Sequence, residues 1–308
     1  MKLATTTGDL VYYCASPAEA VRGFEGTGFK HLDYTFWRLG WGERPILKDD
    51  WFEPVKAAAK EAEKLGFDFV QAHAPGLNFL ANEKDYENVV LADLRSIEAC
   101  GYLGINKIVI HNGSSDKYLY PGDKEAYFEA NRKFYERLYP AMEKYNVKVL
   151  IENLPHLHEG GCYYLMRGTE MKEFLDYCGH PLLGACWDTG HGNIDIESPY
   201  DDLIALGDKL EALHVQDNFG EKDNHLAPFM GNMDIDSLMN ALLDGSFEKR
   251  GCYFTFECDS VIAQGGRRHD DRFARKTDTP SFELKRAAVA FMYQVGKEIL
   301  SAYNCFEE

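Results

Sequence analysis

Acidic and imidazole side chains stand at or near the ends of six successive apolar runs of the sequence. In chain order they are His73, His111, Glu152, Asp188, His214 and Glu257. A carboxylate such as Glu152, which follows Val-Leu-Ile, is costly to bury without a partner. A single histidine in such a place is more often an ordinary hydrogen-bonded residue, so the prediction of a functional site depends mainly on the carboxylates.

Four of these residues suit a divalent cation. Glu152, Asp188, His214 and Glu257 close four successive apolar runs, so their side chains can converge on one point. Three crowded carboxylates would repel one another and raise their own pKa values, and a cation removes that cost. Three oxygen donors and one imidazole favour Mn²⁺, with Co²⁺ or Mg²⁺ as alternatives, over structural zinc. We therefore predict that these four residues bind one divalent cation, with Mn²⁺ as the preferred ion.

The elements that position these residues alternate in type. The predicted strands cover residues 2–6, 29–34, 67–73, 107–111, 147–152, 183–188, 210–216 and 252–257. The predicted helices between or after them include 54–65, 88–102, 124–145, 169–178, 199–206, 235–243 and 281–300. Alternation of this kind favours parallel pairing, because parallel strands need crossover helices. We predict an α/β fold, a single (β/α)8 TIM barrel spanning residues 1–308, with its active site where the strands end. An open doubly wound sheet is the alternative, but the glycine-rich turn typical of it does not follow the first run.

Composition narrows the class of protein. The 308 residues carry a formal net charge of −17, which disfavours nucleic acid and anionic membranes as partners. The first residues show no apolar signal segment, and the eight cysteines form no Cys-x-x-Cys pair. We expect a cytoplasmic protein with reduced thiols. Because barrels of the kind predicted above often form dimers or tetramers, we also expect an oligomer of identical chains, with a complex with another subunit as the alternative.

Several segments resemble the xylose-isomerase-like barrels, a superfamily that includes sugar isomerases, ketose 3-epimerases, inosose dehydratases and endonuclease IV. The matching stretches are His73-Ala74-Pro75, Ile110-His111, Ile151-Glu152-Asn153, Trp187-Asp188-Thr189-Gly190-His191, Leu213-His214-Val215-Gln216-Asp217 and Phe256-Glu257. The resemblance implies that Glu152, Asp188, His214 and Glu257 hold one divalent ion. It also implies an isomerase or epimerase that takes a proton from carbon beside a carbonyl of a sugar or sugar-derived substrate.

Roles for individual residues follow from that resemblance. Glu152 and Glu257 would exchange the proton on opposite sides of the substrate, and His191 would hydrogen-bond a substrate hydroxyl. We predict substrate contacts from His73, His111, Trp37, Trp41 and His225. Ketose 3-epimerases carry a substrate-binding arginine shortly after the strand histidine. Residues 216–219 are Gln-Asp-Asn-Phe instead, which argues against a free ketohexose.

Three alternatives remain open. A lyase on the same scaffold, such as an inosose-type dehydratase or a subunit of a C-glycoside-cleaving enzyme, shares the first proton transfer. The stretch 34–51 holds three of the four tryptophans, which suits a bulky glycoside. An endonuclease IV-like phosphodiesterase on abasic DNA would use three metals on His73, His111, Glu152, Asp188, His191, His214, Asp223, His225 and Glu257. A non-catalytic subunit with a vestigial barrel is the third alternative, against which the intact set of four ligands argues.

One basic segment stands out on this acidic chain. Residues 259–279 contain Arg267, Arg268, Arg272, Arg275 and Lys276. Following the run that ends in Glu257, this segment could close over the site and bind phosphate or carboxylate. A solvated loop or a subunit contact explains it equally well.

Overall fold

A closed parallel barrel is the centre of the structure. The computed structural model describes residues 1–158, 161–195, 198–263 and 279–308. The barrel strands are β1 (Lys2–Thr6), β2 (His31–Thr35), β3 (Asp68–His73), β4 (Lys107–Val109), β5 (Lys148–Glu152), β6 (Leu183–Asp188), β7 (Leu210–His214) and β8 (Tyr253–Phe256). They pair in parallel in the order β8-β1-β2-β3-β4-β5-β6-β7. Val215, just after β7, bridges to Phe256 of β8 and closes the ring. The predicted (β/α)8 barrel is confirmed.

Helices cover the outside of this barrel. In the described part of the chain they are Gly8–Val11, Pro17–Gly23, Trp37–Gly40, Glu53–Leu65, Tyr86–Leu103, Lys124–Tyr145, Gly168–Cys178, Thr189–Asp195, Pro199–Leu206, Ile235–Asp244 and Phe282–Ala302. Local signals set their ends. Glu53–Leu65 has Pro54 in its first turn and stops at Gly66, whose φ of 70° is left-handed. The hydroxyl of Ser281 accepts from the amide of Leu284 and starts the last helix.

The observed strands are shorter than predicted at several carboxyl ends. The segment 107–111 is a strand only over Lys107–Val109, although the amide of Ile110 still donates to the carbonyl of Leu150. His111 therefore lies beyond the ladder, where the chain has turned towards the barrel mouth. The patterns also gave no sign of helices Gly8–Val11 and Pro17–Gly23, which lie between β1 and β2.

The last helix is tied to the segment that follows β8. Lys285 is fully buried, and its ammonium group donates to the carbonyls of Asp259 (2.8 Å) and Val261 (2.7 Å). The carboxylate of Asp9 lies 3.8 Å from the same group. Buried charge needs such partners, so Lys285 holds the turn after Glu257 in place.

The basic residues of the segment 264–278 lie outside the described residues. Within the described ranges, no helix combines the length and the apolar character needed to cross a membrane.

Candidate functional site

The four residues predicted to share a cation lie together at the carboxyl end of the barrel. Glu152 ends β5, Asp188 ends β6, His214 ends β7 and Glu257 follows β8. Each is at most 3% exposed, and their ligand atoms all lie within 4.8 Å of one another. Nδ1 of His214 is 3.1 Å from Oε1 of Glu152 and 3.0 Å from Oε2 of Glu257. The two glutamates thus stand on either side of one imidazole nitrogen.

Burial and charge perturb these groups strongly. Burial raises the pKa of Asp188 to about 7, despite the opposing effect of His191. Burial alone would lower the pKa of His214, but Cys186, Glu257 and Glu152 raise it well above its usual value. Burial would also raise the pKa of Glu257, yet His214 above all holds it at about 2. Without a cation, therefore, the site keeps protons on Asp188 and His214 near neutral pH.

Asp188 shows why a cation fits. Its Oδ1 accepts from the amide of His191 at 2.6 Å and from Nε2 of Gln216 at 3.1 Å. Its Oδ2 is buried, and no donor reaches it among the described residues. A buried carboxylate oxygen without a donor is a costly arrangement unless something else satisfies it. A dication held with His214 and the two glutamates would do so.

A second group of possible ligands shares Glu152. Nε2 of His111 lies 3.1 Å from Oε2 of Glu152 and 3.0 Å from Nε2 of His73. Two imidazole nitrogens facing each other need either one proton or one cation between them. Glu152 therefore presents one oxygen to His214 and the other to His111.

A third group lies towards the rim of the barrel. His191 and His225 place their Nε2 atoms 3.2 Å and 3.0 Å from Oδ2 of Asp223. Their Nδ1 atoms face the carbonyls of Asn153 (2.9 Å) and Glu257 (3.0 Å). Since Nδ1–H donates to those carbonyls, Nε2 must carry either a second proton or a cation to face a carboxylate.

Residues of all three groups line an open cavity of about 380 Å³, although the fully buried Asp188 and His214 are not among its lining residues. Trp37, Trp41 and Tyr12 also line it, as does Pro75. Nε1 of Trp37 donates towards Nδ1 of His73 (3.2 Å), and Nε1 of Trp41 donates to the carbonyl of Pro75 (2.7 Å). The structure therefore brings together all the residues predicted to contact substrate around one cavity.

Trp51, the third tryptophan of that stretch, lies elsewhere. It packs in the hydrophobic core, with its ring 4.9 Å from Phe52 and under the guanidinium of Arg95. A larger cavity, of about 620 Å³, opens at the amino-terminal end of the barrel. It is lined by Lys107, Lys148 and Glu211 and lies away from the cluster of histidines and carboxylates. In barrels of this type chemistry belongs at the opposite end, so the smaller cavity is the candidate site.

Residues 25–276 match the sequence family described as xylose isomerase-like TIM barrel. The chain belongs to that family. An uncharacterised protein from Sinorhizobium fredii, y4fM, is 26% identical over 147 residues, and the match covers 47% of this chain and 46% of that one. The chain thus spans about half the length of this curated relative.

Solved structures share the whole fold. A D-psicose 3-epimerase from Clostridium cellulolyticum H10, solved with D-tagatose, superposes with a TM-score of 0.71 at 16% identity. The match covers 97% of this chain and 99% of the epimerase. The IolI protein with a bound zinc atom superposes with a TM-score of 0.72 at 15% identity over 100% of both chains. At such identities the likeness establishes the fold that this member of the family adopts.

In the Asp-Thr-Gly-His stretch of this family member, position 190 must be glycine because the side chain of Gln216 packs against it. A Cβ atom at Gly190 would overlap the side-chain amide of Gln216, which is fully buried. That amide donates to Oδ1 of Asp188 and to Oδ1 of Asp223 (2.5 Å). Gly190 thus makes room for a bridge between the first and third groups.

Sequence reasoning missed three polar residues of the site. Asp33 of β2 lies behind His214, with Oδ2 3.3 Å from its Nε2. Gln71 of β3 donates to the same oxygen, and Asp259 lines the cavity beside His225. A carboxylate inside the apolar run of β2 was the available signal for Asp33, because such a residue needs a buried partner.

Proposed function

We propose that this protein is a divalent-metal-dependent isomerase or epimerase acting on a sugar or sugar-derived substrate by proton transfer beside a carbonyl. The observation that carries the proposal is the pair of glutamates on either side of Nδ1 of His214, beside an Asp188 oxygen that no donor reaches in the described part of the chain. Structural similarity to a D-psicose 3-epimerase supports it, since that fold is compatible with this chemistry.

The cation would be held by Glu152, Asp188, His214 and Glu257. When bound, it would polarise the substrate carbonyl and so acidify the neighbouring carbon–hydrogen bond. The oxygen-rich donor set favours Mn²⁺, with Co²⁺ or Mg²⁺ as alternatives.

The two glutamates would move the proton. Because the pKa of Glu257 lies at about 2 and that of Glu152 well below its usual value, both are ionised at neutral pH. One would accept the proton from carbon. In an isomerisation the same glutamate would return that proton to the neighbouring carbon, whereas in an epimerisation the second glutamate would first take a proton from solvent and then donate it to the opposite face. His191 would donate to a substrate hydroxyl, while His73, His111 and His225 would contact the sugar. Trp37 and Trp41 would pack against its apolar face.

A lyase on the same scaffold is the second candidate, favoured by the aromatic wall of the cavity. Tyr12 and Trp41 are both more than half exposed at the cavity mouth. Exposed aromatic surface beside a site suits a bulky group such as a glycoside's aglycone. The first proton transfer would be the same, and the lyase would then expel a substituent from the adjacent carbon.

An endonuclease IV-like phosphodiesterase is the third candidate, favoured by the three groups of possible ligands around Glu152, Asp188 and Asp223. A net charge of −17 opposes binding to DNA. A cytoplasmic location and an oligomer of identical chains stay predictions, and the mechanism depends on neither.

Isotope exchange tests the proposal. The metal-loaded protein is incubated in D₂O with D-psicose, D-tagatose, sugar phosphates and aryl glycosides, and the products are analysed by NMR and mass spectrometry. We expect deuterium at a carbon beside the carbonyl, in an isomer or epimer of the substrate. Deuterium together with loss of a substituent would favour the lyase.

Two controls sharpen this experiment. Glu257→Gln removes a base while preserving side-chain volume, so it should fold and lose exchange. Glu98→Gln, an exposed substitution on the helix Tyr86–Leu103, should keep full activity. If a protein containing three metals per chain cleaves abasic DNA and no deuterium enters any sugar, the isomerase proposal is wrong and the phosphodiesterase is favoured.

A further inference from the structure

A buried chain of hydrogen bonds runs behind His214, on the side away from the other three ligands. Oγ1 of Thr255 donates to Oε1 of Gln71 at 3.1 Å. Nε2 of Gln71 donates to Oδ2 of Asp33 at 2.8 Å, and the same oxygen lies 3.3 Å from Nε2 of His214. All four residues are at most 1% exposed, and they come from β8, β3, β2 and β7.

The direction of each hydrogen bond in this chain is fixed. Nε2 of Gln71 also faces the carbonyl of Leu213 at 3.4 Å, which can only accept, so the Gln71 amide turns its NH₂ group towards Asp33 and its oxygen towards Thr255. Oδ2 of Asp33 accepts that hydrogen and turns a further lone pair towards His214. Nε2 of His214 must therefore bear the hydrogen that faces Asp33.

The other nitrogen of the same ring faces the candidate metal site. With the hydrogen held on Nε2, a neutral His214 presents the lone pair of Nδ1 between Glu152 and Glu257. Only that tautomer leaves Nδ1 able to bind a cation, and a carboxylate behind the ring also increases its basicity.

We propose that Asp33 is a positioning residue, held by Gln71 and Thr255, that fixes His214 in the Nε2–H tautomer and makes Nδ1 a cation ligand. This inference rests on the proposed metal site and adds to it a residue that does not itself touch the cation. It explains why the carboxylate of Asp33 is buried in the middle of β2.

Asp33→Asn separates charge from geometry. Oδ1 of Asp33 is buried, and no donor reaches it within the described ranges. The NH₂ group of asparagine would occupy that position, leaving the oxygen that accepts from Gln71 and His214 in place. Asp33→Leu removes the acceptor as well, so His214 loses the partner that selects its tautomer.

Zinc affinity measures the effect without depending on catalysis. Zinc chloride is titrated into the chelator-treated protein in competition with a chromophoric chelator. We expect binding roughly tenfold to a hundredfold weaker in Asp33→Asn than in the wild type, and weaker still in Asp33→Leu. Asp202→Asn is the matched control, because Asp202 is also a buried aspartate but accepts from the amide of Gly168, away from the cavity. Its zinc affinity should equal that of the wild type.

The tautomer provides a second readout that a purely structural role would not change. In zinc-loaded protein carrying ¹⁵N-histidine, we expect the wild-type signals of His214 to show hydrogen on Nε2 and metal on Nδ1. In Asp33→Leu that pattern should be lost or mixed. Thr255→Val removes the hydrogen bond to the amide of Gln71 and should weaken zinc binding by a smaller factor. This variant tests the proposal if the Asp33 variants fail to fold.

The possible outcomes distinguish a failure of the metal site from a failure of the role of Asp33. Wild-type protein that binds no zinc would overturn the metal site and this inference together. Wild-type protein that binds zinc, with Asp33→Asn and Asp33→Leu within twofold of it and with unchanged histidine signals, would overturn only the role of Asp33.

Discussion

Protons and a cation should compete for the same atoms of the site, and the structure indicates how many protons are involved. In the cation-free protein His214 carries a hydrogen on Nδ1 as well as on Nε2, because its pKa is raised well above the usual value. Asp188, whose pKa is raised to about 7, holds a proton in half of the molecules at pH 7. A cation bound to these residues must displace both.

The expected number of protons released per cation varies with pH. At pH 7 it is about 1.5, namely one from His214 and half of one from Asp188. At pH 6 it rises to about 1.9, because Asp188 is then almost fully protonated, and it falls again above pH 7. The dissociation constant should therefore fall by about 30-fold per pH unit near pH 7, which corresponds to about 2 kcal/mol.

Isothermal titration calorimetry measures this release directly. MnCl₂ is titrated into the chelator-treated protein in two buffers of equal pH and different ionisation enthalpy, and the difference in heat gives the number of protons. Asp188→Asn should lower the number at pH 7 by about half a proton and weaken binding. A release near zero at pH 6, with tight binding, would refute the assignment of protons to His214 and Asp188.

Three further predictions concern stability and coupling. Chelation with EDTA should lower the melting temperature by about 4 °C, because a cation at a hundred times its dissociation constant stabilises the native state by about 2.7 kcal/mol; equal melting curves with and without EDTA would contradict a metal site. Burial raises the pKa of Asp9 to about 6, so the wild type should lose about 2.4 kcal/mol of unfolding free energy as the pH rises from 4 to 7. Asp9→Asn, compared by urea unfolding in EDTA, should lack that loss, and parallel pH profiles would count against it. Gly190→Ala should displace Gln216 and weaken manganese binding by roughly tenfold while the circular dichroism spectrum is kept, and an unchanged affinity would show that the bridge is dispensable.

The barrel and the four-residue group were predictable because they leave regular traces in the sequence. Glu152 and Asp188 end fully buried strands, where a carboxylate contradicts its surroundings and so calls for a partner. Asp33 breaks the same rule but was not predicted, because it lies in the middle of its strand and not at the strand end where a barrel places its active site.

The rim of the site depends on loops, whose shape has no sequence period. Asp223 and His225 return to the barrel because Asp217 exchanges backbone hydrogen bonds with Leu226 and its carboxylate accepts from the amide of Gly231. Trp37 and Trp51 belong to one aromatic stretch, yet one lines the cavity and the other packs in the core. Composition cannot separate such cases, since tertiary packing alone decides them.

Lys285 gives this barrel a practical property for protein engineering. By gripping the carbonyls of Asp259 and Val261 from the last helix, it anchors the chain on both sides of residues 264–278. Grafts of different length and composition can therefore replace residues 264–278 while the contacts of Lys285 still hold the turn after Glu257. Libraries built in that interval would leave the proton-transfer residues and their anchor unchanged.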